Sequence, residues 1–239
     1  MKVATIVQAR MESTRLPGKV LQKIAGQTVL AWVLQRCEQI ARSDVVCCAV
    51  ANSIASDEVA EEARRANVVV VRGPGDDVLA RYALANDELG ADIVLRVTSD
   101  CPLIDPSVCD QVIELLIKDN ADYAANNMPP SFPHGLDCEA FTGRALRLAA
   151  QTATSQQDRE HVTPWIRRNP ELVRSNLTAP GGEWVEQRWT LDYSEDLDFL
   201  TALFARRPGT DWTQTAALVA QDKTLASINE SRRVSRASV

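Results

Sequence analysis

Only two of the 239 residues are histidine, which argues against a dedicated zinc site. There are six cysteines but no Cys-x-x-Cys pair, and Cys47 and Cys48 are neighbours inside the apolar run DVVCCAVA. That spacing fits buried thiols in a reducing compartment better than a disulfide framework. No apolar run approaches the length of a membrane span. The opening MKVATIVQAR reads as immediate entry into a strand rather than as a secretory leader, so a cytoplasmic location is expected. A broad basic face is also missing, because the net charge is −6 and the pI about 5.1. Nucleic acid and membrane surfaces are therefore not expected partners. No Walker-type GxxxxGK[ST] loop, internal repeat or domain-separating linker is present.

What is present is an alternation of short apolar runs with helical patterns. Strands are expected over 3–9, 45–51, 68–72 and 91–98. Helices are expected over 28–41, 56–66, 76–89 and 105–120, with Ser56 as a cap and Pro106 in a first turn. Fully apolar strands between helices predict an α/β fold with a mostly parallel sheet covered on both faces. After residue 124 the pattern is less regular. It suggests a loop-rich stretch and then a strand over 126–141, helices over 143–153 and 158–169, a strand over 184–192, and a Ser194-capped helix over 194–207. The whole chain reads as one domain, 1–239, with a lid or dimerisation insertion over about 125–185 and a frayed tail over about 227–239.

The stretch IVQARMESTRLPGKVL leaves the first strand and puts Arg10, Arg15 and Lys19 into one loop broken by Pro17 and Gly18. Three clustered cations need an anion, and three can neutralise most of a triphosphate, with Ser13, Thr14 and the Gly18 backbone adding donors. In a parallel sheet this loop and VTSDCPLID, after the fourth strand, face one crevice. Asp100 there is a hard-oxygen candidate for Mg²⁺, whereas Asp105 before Pro106 is better explained as a helix cap. Asp192, in RWTLDYSEDLDF, either joins Asp100 on a metal or only caps the next helix, and the residues alone leave both open. The cluster Asp158, Arg159, Glu160, His161 reads as an acidic helix start, although Arg159 could grip a carboxylate. Cys101 has no histidine placed to activate it and is not taken as a nucleophile.

These motifs carry a resemblance. ARMESTRLPGKVL resembles the N-terminal signature of sugar-acid cytidylyltransferases, notably the 3-deoxy-manno-octulosonate type. RGPGDDVLARY, RVTSDCPLIDP, ADYAANN, FPHGLDCEAF, DREHVTPWI and RWTLDYSEDLDF extend the likeness to the SpsF-like branch of spore-coat polysaccharide biosynthesis, over residues 3 to about 204. The resemblance implies a Rossmann-like three-layer α/β/α sandwich of the nucleotide-diphospho-sugar transferase type. It implies CTP as co-substrate, Mg²⁺ (or Mn²⁺), and a product joining CMP to a 2-keto-3-deoxy sugar acid, made by a homodimer. By position, Arg10, Ser13, Arg15 and Lys19 would hold the triphosphate, and Asp77 and Arg81 would contact the nucleotide. Asp100 and Asp192 would hold the metal, and Asp137, Arg159, Glu160 and His161 would shape the acceptor pocket. Arg10, Lys19 and Asp100 would carry the chemistry.

Three positions depart from the family pattern: Glu12 and Ser99 stand where glycines are usual, and His134 where an aspartate is usual. Two rival readings use the same scaffold. A glycosyltransferase would transfer the sugar of a nucleotide sugar, but typically shows Asp-x-Asp where this chain has Ser-Asp-Cys. A non-catalytic nucleotide-binding protein would bind CTP without turnover.

Overall fold

The computed structural model describes residues 1–11, 13–180, 184–206 and 211–233. The chain runs from β1 (Val3–Ala9) through a hairpin of β2 (Lys23–Ile24) and β3 (Gln27–Thr28) into α1 (Val29–Cys37). It continues through β4 (Val45–Ala51), α2 (Asp57–Arg65), β5 (Val69–Gly73), α3 (Val78–Leu89), β6 (Ile93–Thr98) and α4 (Pro106–Lys118). Then come β7 (Tyr123–Ala125), β8 (Glu139–Thr142), α5 (Gly143–Thr152), α6 (Gln156–His161), α7 (Pro164–Arg168) and β9 (Arg174–Asn176). The last elements are α8 (Ser194–Ala205), α9 (Trp212–Gln221) and α10 (Lys223–Ser227).

Seven strands form one sheet in the order β5–β4–β1–β6–β8–β7–β9, and β8 alone runs against the others. Alternate residues of β1 feed two cores. Val3 and Val7 pack with α1, α2, α4 and α8 on one face, while Ala4 and Ile6 pack with α3, α5 and α7 on the other. The result is the expected three-layer, mostly parallel α/β/α sandwich. No helix among the described residues is long and apolar enough to cross a membrane.

Register decides where the chemistry sits. Gln8 of β1 pairs with Thr98 of β6, so the loops after these strands leave the sheet side by side. Asp105 is the cap of α4, accepting from Ser107 N at 2.9 Å and Val108 N at 3.2 Å. The segment 125–185 is built into the sheet, since β8 and β9 lie within it.

Several expectations need correction. Residues 184–192 are not a strand. Trp184–Glu186 is a 3₁₀ turn, and the rest is an extended run whose backbone bonds go to loops rather than to a sheet neighbour. The helix expected over 158–169 is two short helices, broken at Val162, whose φ of 71° a β-branched residue rarely adopts. That break aims the Thr163 hydroxyl at Glu139, at 2.8 Å. Neither Ser56 nor Ser194 caps through its hydroxyl. Ser56 meets Ser53, and at α8 the Asp196 carboxylate accepts from Tyr193 N at 3.0 Å. Residues 228–233 are docked, not frayed: Asn229 is fully buried, and Arg232 bonds Glu195 at 2.8 Å over the Tyr193 ring. Residues 234–239 of the expected tail lie outside the described residues, as does Glu12.

Candidate active site

A cleft of about 590 Å³ opens at the carboxyl ends of β1 and β6, within the range of small-molecule sites. The loop after β1 forms one wall. It closes on itself through Gly18 N to Met11 O at 3.3 Å and Lys19 N to Leu16 O at 3.2 Å. Gly18 holds φ at 66°, a conformation glycine adopts at little cost. Ser13 accepts from Leu16 N at 3.4 Å and also lines the cleft.

The other walls come from distant parts of the chain. The run 188–192 lies between the 134 loop and the Asp100 loop, joined by Trp189 N to His134 O at 2.6 Å and Leu191 N to Asp100 O at 2.8 Å. Such close approach needs a glycine. A Cβ on Gly135, at φ 114°, would stand 2.8 Å from the Trp189 carbonyl carbon. Asp192 thereby arrives beside Asp100.

The Lys19 ammonium donates to Asp100 Oδ2 at 2.5 Å and to Asp192 Oδ1 at 2.9 Å. Arg15 reaches the same Asp192 oxygen at 2.6 Å and lies 5.1 Å from the Tyr193 ring centroid. Burial works against charge on both aspartates, but the cations outweigh it. Lys19 holds Asp100 below the usual carboxylate range, and Lys19, Arg188 and Arg15 do the same for Asp192. Lys19 also suffers from burial, yet Asp100 and Asp192 raise its pKa above that of an ordinary lysine. All three groups are charged at neutral pH.

Two carboxylate oxygens that converge on one cation suit a hard divalent ion completed by phosphate oxygens and water. Among the described residues no group of three or more His, Cys, Asp or Glu forms a metal cage, so a cation here would be shared with a ligand. The donor set fits Mg²⁺, and the Lys19 ammonium marks where positive charge is favoured.

The expected site residues divide into three groups. Arg10, Ser13, Arg15, Lys19, Arg81, Asp100, Asp137, His161 and Asp192 all line the cleft, together with Ser99 and His134. Arg10 and Glu160 face each other at 3.9 Å on its outer rim. Asp77 and Arg159 are committed elsewhere. Asp77 caps α3 by accepting from Ala80 N at 2.8 Å and is ion-paired with Arg159, which also bonds Ala150 O at 2.7 Å. Asp158 is likewise structural, paired with Arg168. Cys101 is buried, and burial pushes its thiol pKa up, so it is inert.

Sequence reasoning missed two parts of this site. Glu139 on the cleft floor is 1 % exposed. It accepts from Tyr123 at 2.5 Å, Arg167 at 2.6 Å and Arg96. Burial opposes its charge, but Arg96 and Arg167 win and hold it at about 2. The other is Arg188, 6 % exposed, bonded to both Asp192 and Asp196.

A profile of the cytidylyltransferase family matches residues 4–224. The spore coat polysaccharide biosynthesis protein SpsF of Bacillus subtilis is 30 % identical over 208 residues, covering 84 % of this chain and 85 % of its own. The structure of a cytidylyltransferase from Leptospira borgpetersenii superposes with a TM-score of 0.89 at 27 % identity, covering 94 % of this chain and 96 % of its own. CMP:2-keto-3-deoxy-manno-octonic acid synthetase, solved in complex with CTP, shares the fold at TM-score 0.65 and 18 % identity, over 86 % and 99 %.

Proposed function

The chain belongs to the cytidylyltransferase family, a family of nucleotidyltransferases, and on that premise we propose that it transfers CMP from CTP to a hydroxyl of a 2-keto-3-deoxy sugar acid. Pyrophosphate leaves, and the activated sugar serves surface polysaccharide or glycan assembly. The observation that carries this reading is Lys19 shared between Asp100 and Asp192, with Arg15 on the same carboxylate, at the mouth of the cleft. The SpsF relative and the CTP-bound synthetase of the same fold support it.

In this reading Arg10, Ser13, Arg15 and Lys19 grip the triphosphate and orient its α-phosphorus toward the acceptor hydroxyl. Lys19 and Arg15 exchange carboxylate oxygens for phosphate oxygens, and they stabilise the charge that grows on pyrophosphate. Asp100 and Asp192, so released, would hold Mg²⁺, which would supply Lewis-acid neutralisation of the phosphates. Among the residues that line the cleft, Arg81 is in this reading assigned to the nucleotide and Asp137, His134 and His161 to the acceptor. Asp77 and Arg159 act together as the brace between α3 and α6.

The test is pyrophosphate release by the purified protein with Mg²⁺, each of the four nucleoside triphosphates and a panel of 2-keto-3-deoxy sugar acids. Release with CTP and one acid, lost in Asp100→Ala, is the expected result. CTP-selective thermal stabilisation without turnover on any acid would mean a different acceptor or a non-catalytic binder. No stabilisation by any nucleotide would overturn the assignment of the Arg10–Lys19 loop. A glycosyltransferase would release no pyrophosphate.

A further inference from the structure

Arg188 is buried and bonds two residues that line the cleft, Asp192 and His134. Its Nε and Nη2 grip Asp196 at 2.8 and 2.9 Å, and Nη2 also donates to Asp192 Oδ2 at 2.9 Å. Its Nη1 faces His134 Nδ1 at 3.1 Å. Asp196 in turn accepts from Asp192 N at 2.9 Å and from Asn229 Nδ2 at 3.0 Å, and Asn229 also donates to Arg188 O at 3.0 Å. The guanidinium is thus held by three side chains, Asp196, Asp192 and His134, while Asn229 holds the Arg188 backbone.

Two consequences follow from the chemistry of the partners. Asp192 has its oxygens divided: Oδ2 is committed to Arg188 and Oδ1 turns to Lys19 and Arg15. An arginine can only donate, so His134 Nδ1 must accept. The neutral ring then carries its proton on Nε2, the nitrogen 3.8 Å from Asp137 Oδ2. The His134 and Arg188 backbones are bridged, which keeps the two side chains in register.

We infer that Arg188 is a positioning residue for both substrates: it holds Asp192 with one oxygen presented to the cation, and it locks His134 as the Nε2–H tautomer, a donor toward acceptor oxygens. The Asp192 half rests on the function proposed above, whereas the tautomer half does not. An ion pair serving only the core would contribute stability and would leave both the tautomer and the metal requirement alone.

The chain has two histidines, so long-range ¹H–¹⁵N spectra of the imidazoles carry two signal sets, and His161→Gln identifies His134. The wild-type protein should show Nε2–H at His134. Arg188→Lys should give mixed tautomers and raise the Mg²⁺ concentration for half-maximal pyrophosphate release about tenfold, as loss of a group that orients a metal ligand does. The kcat at saturating Mg²⁺ should fall less. If Arg188→Lys does not fold, the double variant Arg188→Met/Asp196→Asn removes the charge with its partner and is read in the same way. A wild-type Nδ1–H form, or variants with unchanged tautomer and Mg²⁺ midpoint, would overturn the inference. An Asp192→Asn protein with wild-type Mg²⁺ response overturns the Asp192 half together with the proposed function. A lost response in Asp192→Asn beside an indifferent Arg188→Lys overturns the inference alone.

Discussion

Replacing Lys19 by alanine tests the centre of the site, because that one ammonium separates two carboxylates. The Lys19 and Asp192 side chains are each 13 % exposed and Asp100 is 22 % exposed, so solvent screens them only partly. Charge-assisted bonds of this kind contribute about 1.5–3 kcal/mol each, and stranding a buried partner costs about 3–5 kcal/mol. Partial exposure places Lys19→Ala near the lower figure, about 3 kcal/mol. For a chain of this size that lowers Tm by about 10 °C in metal-free buffer.

The pH dependence has a definite sign. Asp100 and Asp192 both titrate below their ordinary range in the native protein. The stability they share with Lys19 is therefore fully present above about pH 4 and is lost as pH falls through their native values. Without Lys19 the two carboxylates repel and can share a proton, so the Tm gap between variant and wild type should be widest at neutral pH and close on acidification. Millimolar-range Mg²⁺ should restore part of the lost Tm in Lys19→Ala, since a cation again lies between the carboxylates. At 25 °C, where the variant stays folded, pyrophosphate release should fall about 10²–10³-fold, the scale of losing one electrostatic stabiliser. Differential scanning calorimetry across pH, with a coupled pyrophosphate assay, reads all of this. A pH-independent Tm gap would refute the carboxylate argument, and a folded variant with normal turnover would refute the role of Lys19.

Two further changes probe the frame around the site. Glu139→Gln removes the anion between Arg96 and Arg167 and should cost about 3 kcal/mol at neutral pH, the equivalent of holding that carboxyl at about 2. Because its native pKa is depressed, the contribution is present above the ordinary glutamate range and lost as pH falls toward 2, so calorimetry should show wild type and variant converging in acid. A constant difference would contradict the assignment. Gly135→Ala puts a Cβ 2.8 Å from the Trp189 carbonyl carbon at a φ of 114°. It should lose about 2–3 kcal/mol of stability through backbone strain and displacement. Its pyrophosphate release should fall further than that of a surface glycine variant such as Gly75→Ala, where nothing lies within 4 Å. Equal activity of the two would show that the 134 loop does not set the position of Asp192.

The parts of the fold that were legible are those fixed by local physics. β1 and β4 match their expected ranges to the residue, because a strand buried on both faces must be apolar throughout. Asp105 was readable as a cap because its Oδ1 bonds only its own helix start. Residues 184–192 were misread for the opposite reason. They alternate as a strand does, but the alternation serves two loops, His134 on one side and Asp100 on the other, which no local pattern announces. The break at Val162 is equally invisible, since a valine with positive φ is held there by packing. The same division applies to the site. The basic loop and Asp100 could be placed together because both follow parallel strands, whereas Glu139 and Arg188 are tied to partners 43 and 54 residues away.

The charges around the cleft mouth explain how an acidic protein keeps a basic loop beside its carboxylates. Arg15, Lys19 and Arg188 face Asp100, Asp192 and Asp196, so the cluster is neutral and every member is paired before any ligand arrives. Neither partner could be kept buried alone, because an uncompensated charge there costs several kcal/mol. A ligand carrying only negative charge would pull Lys19 and Arg15 away, stranding Asp100 and leaving Asp192 with Arg188 alone. One carrying only positive charge would strand the cations. A phosphate chain that arrives with a divalent ion would satisfy both sets at once, so under the proposed function the pairing would favour the two together over either alone. Arg188 is exempt from the exchange, since Asp196 holds it bidentately from a fully buried position. In the proposed exchange it would be the fixed point about which Asp192 changes partners.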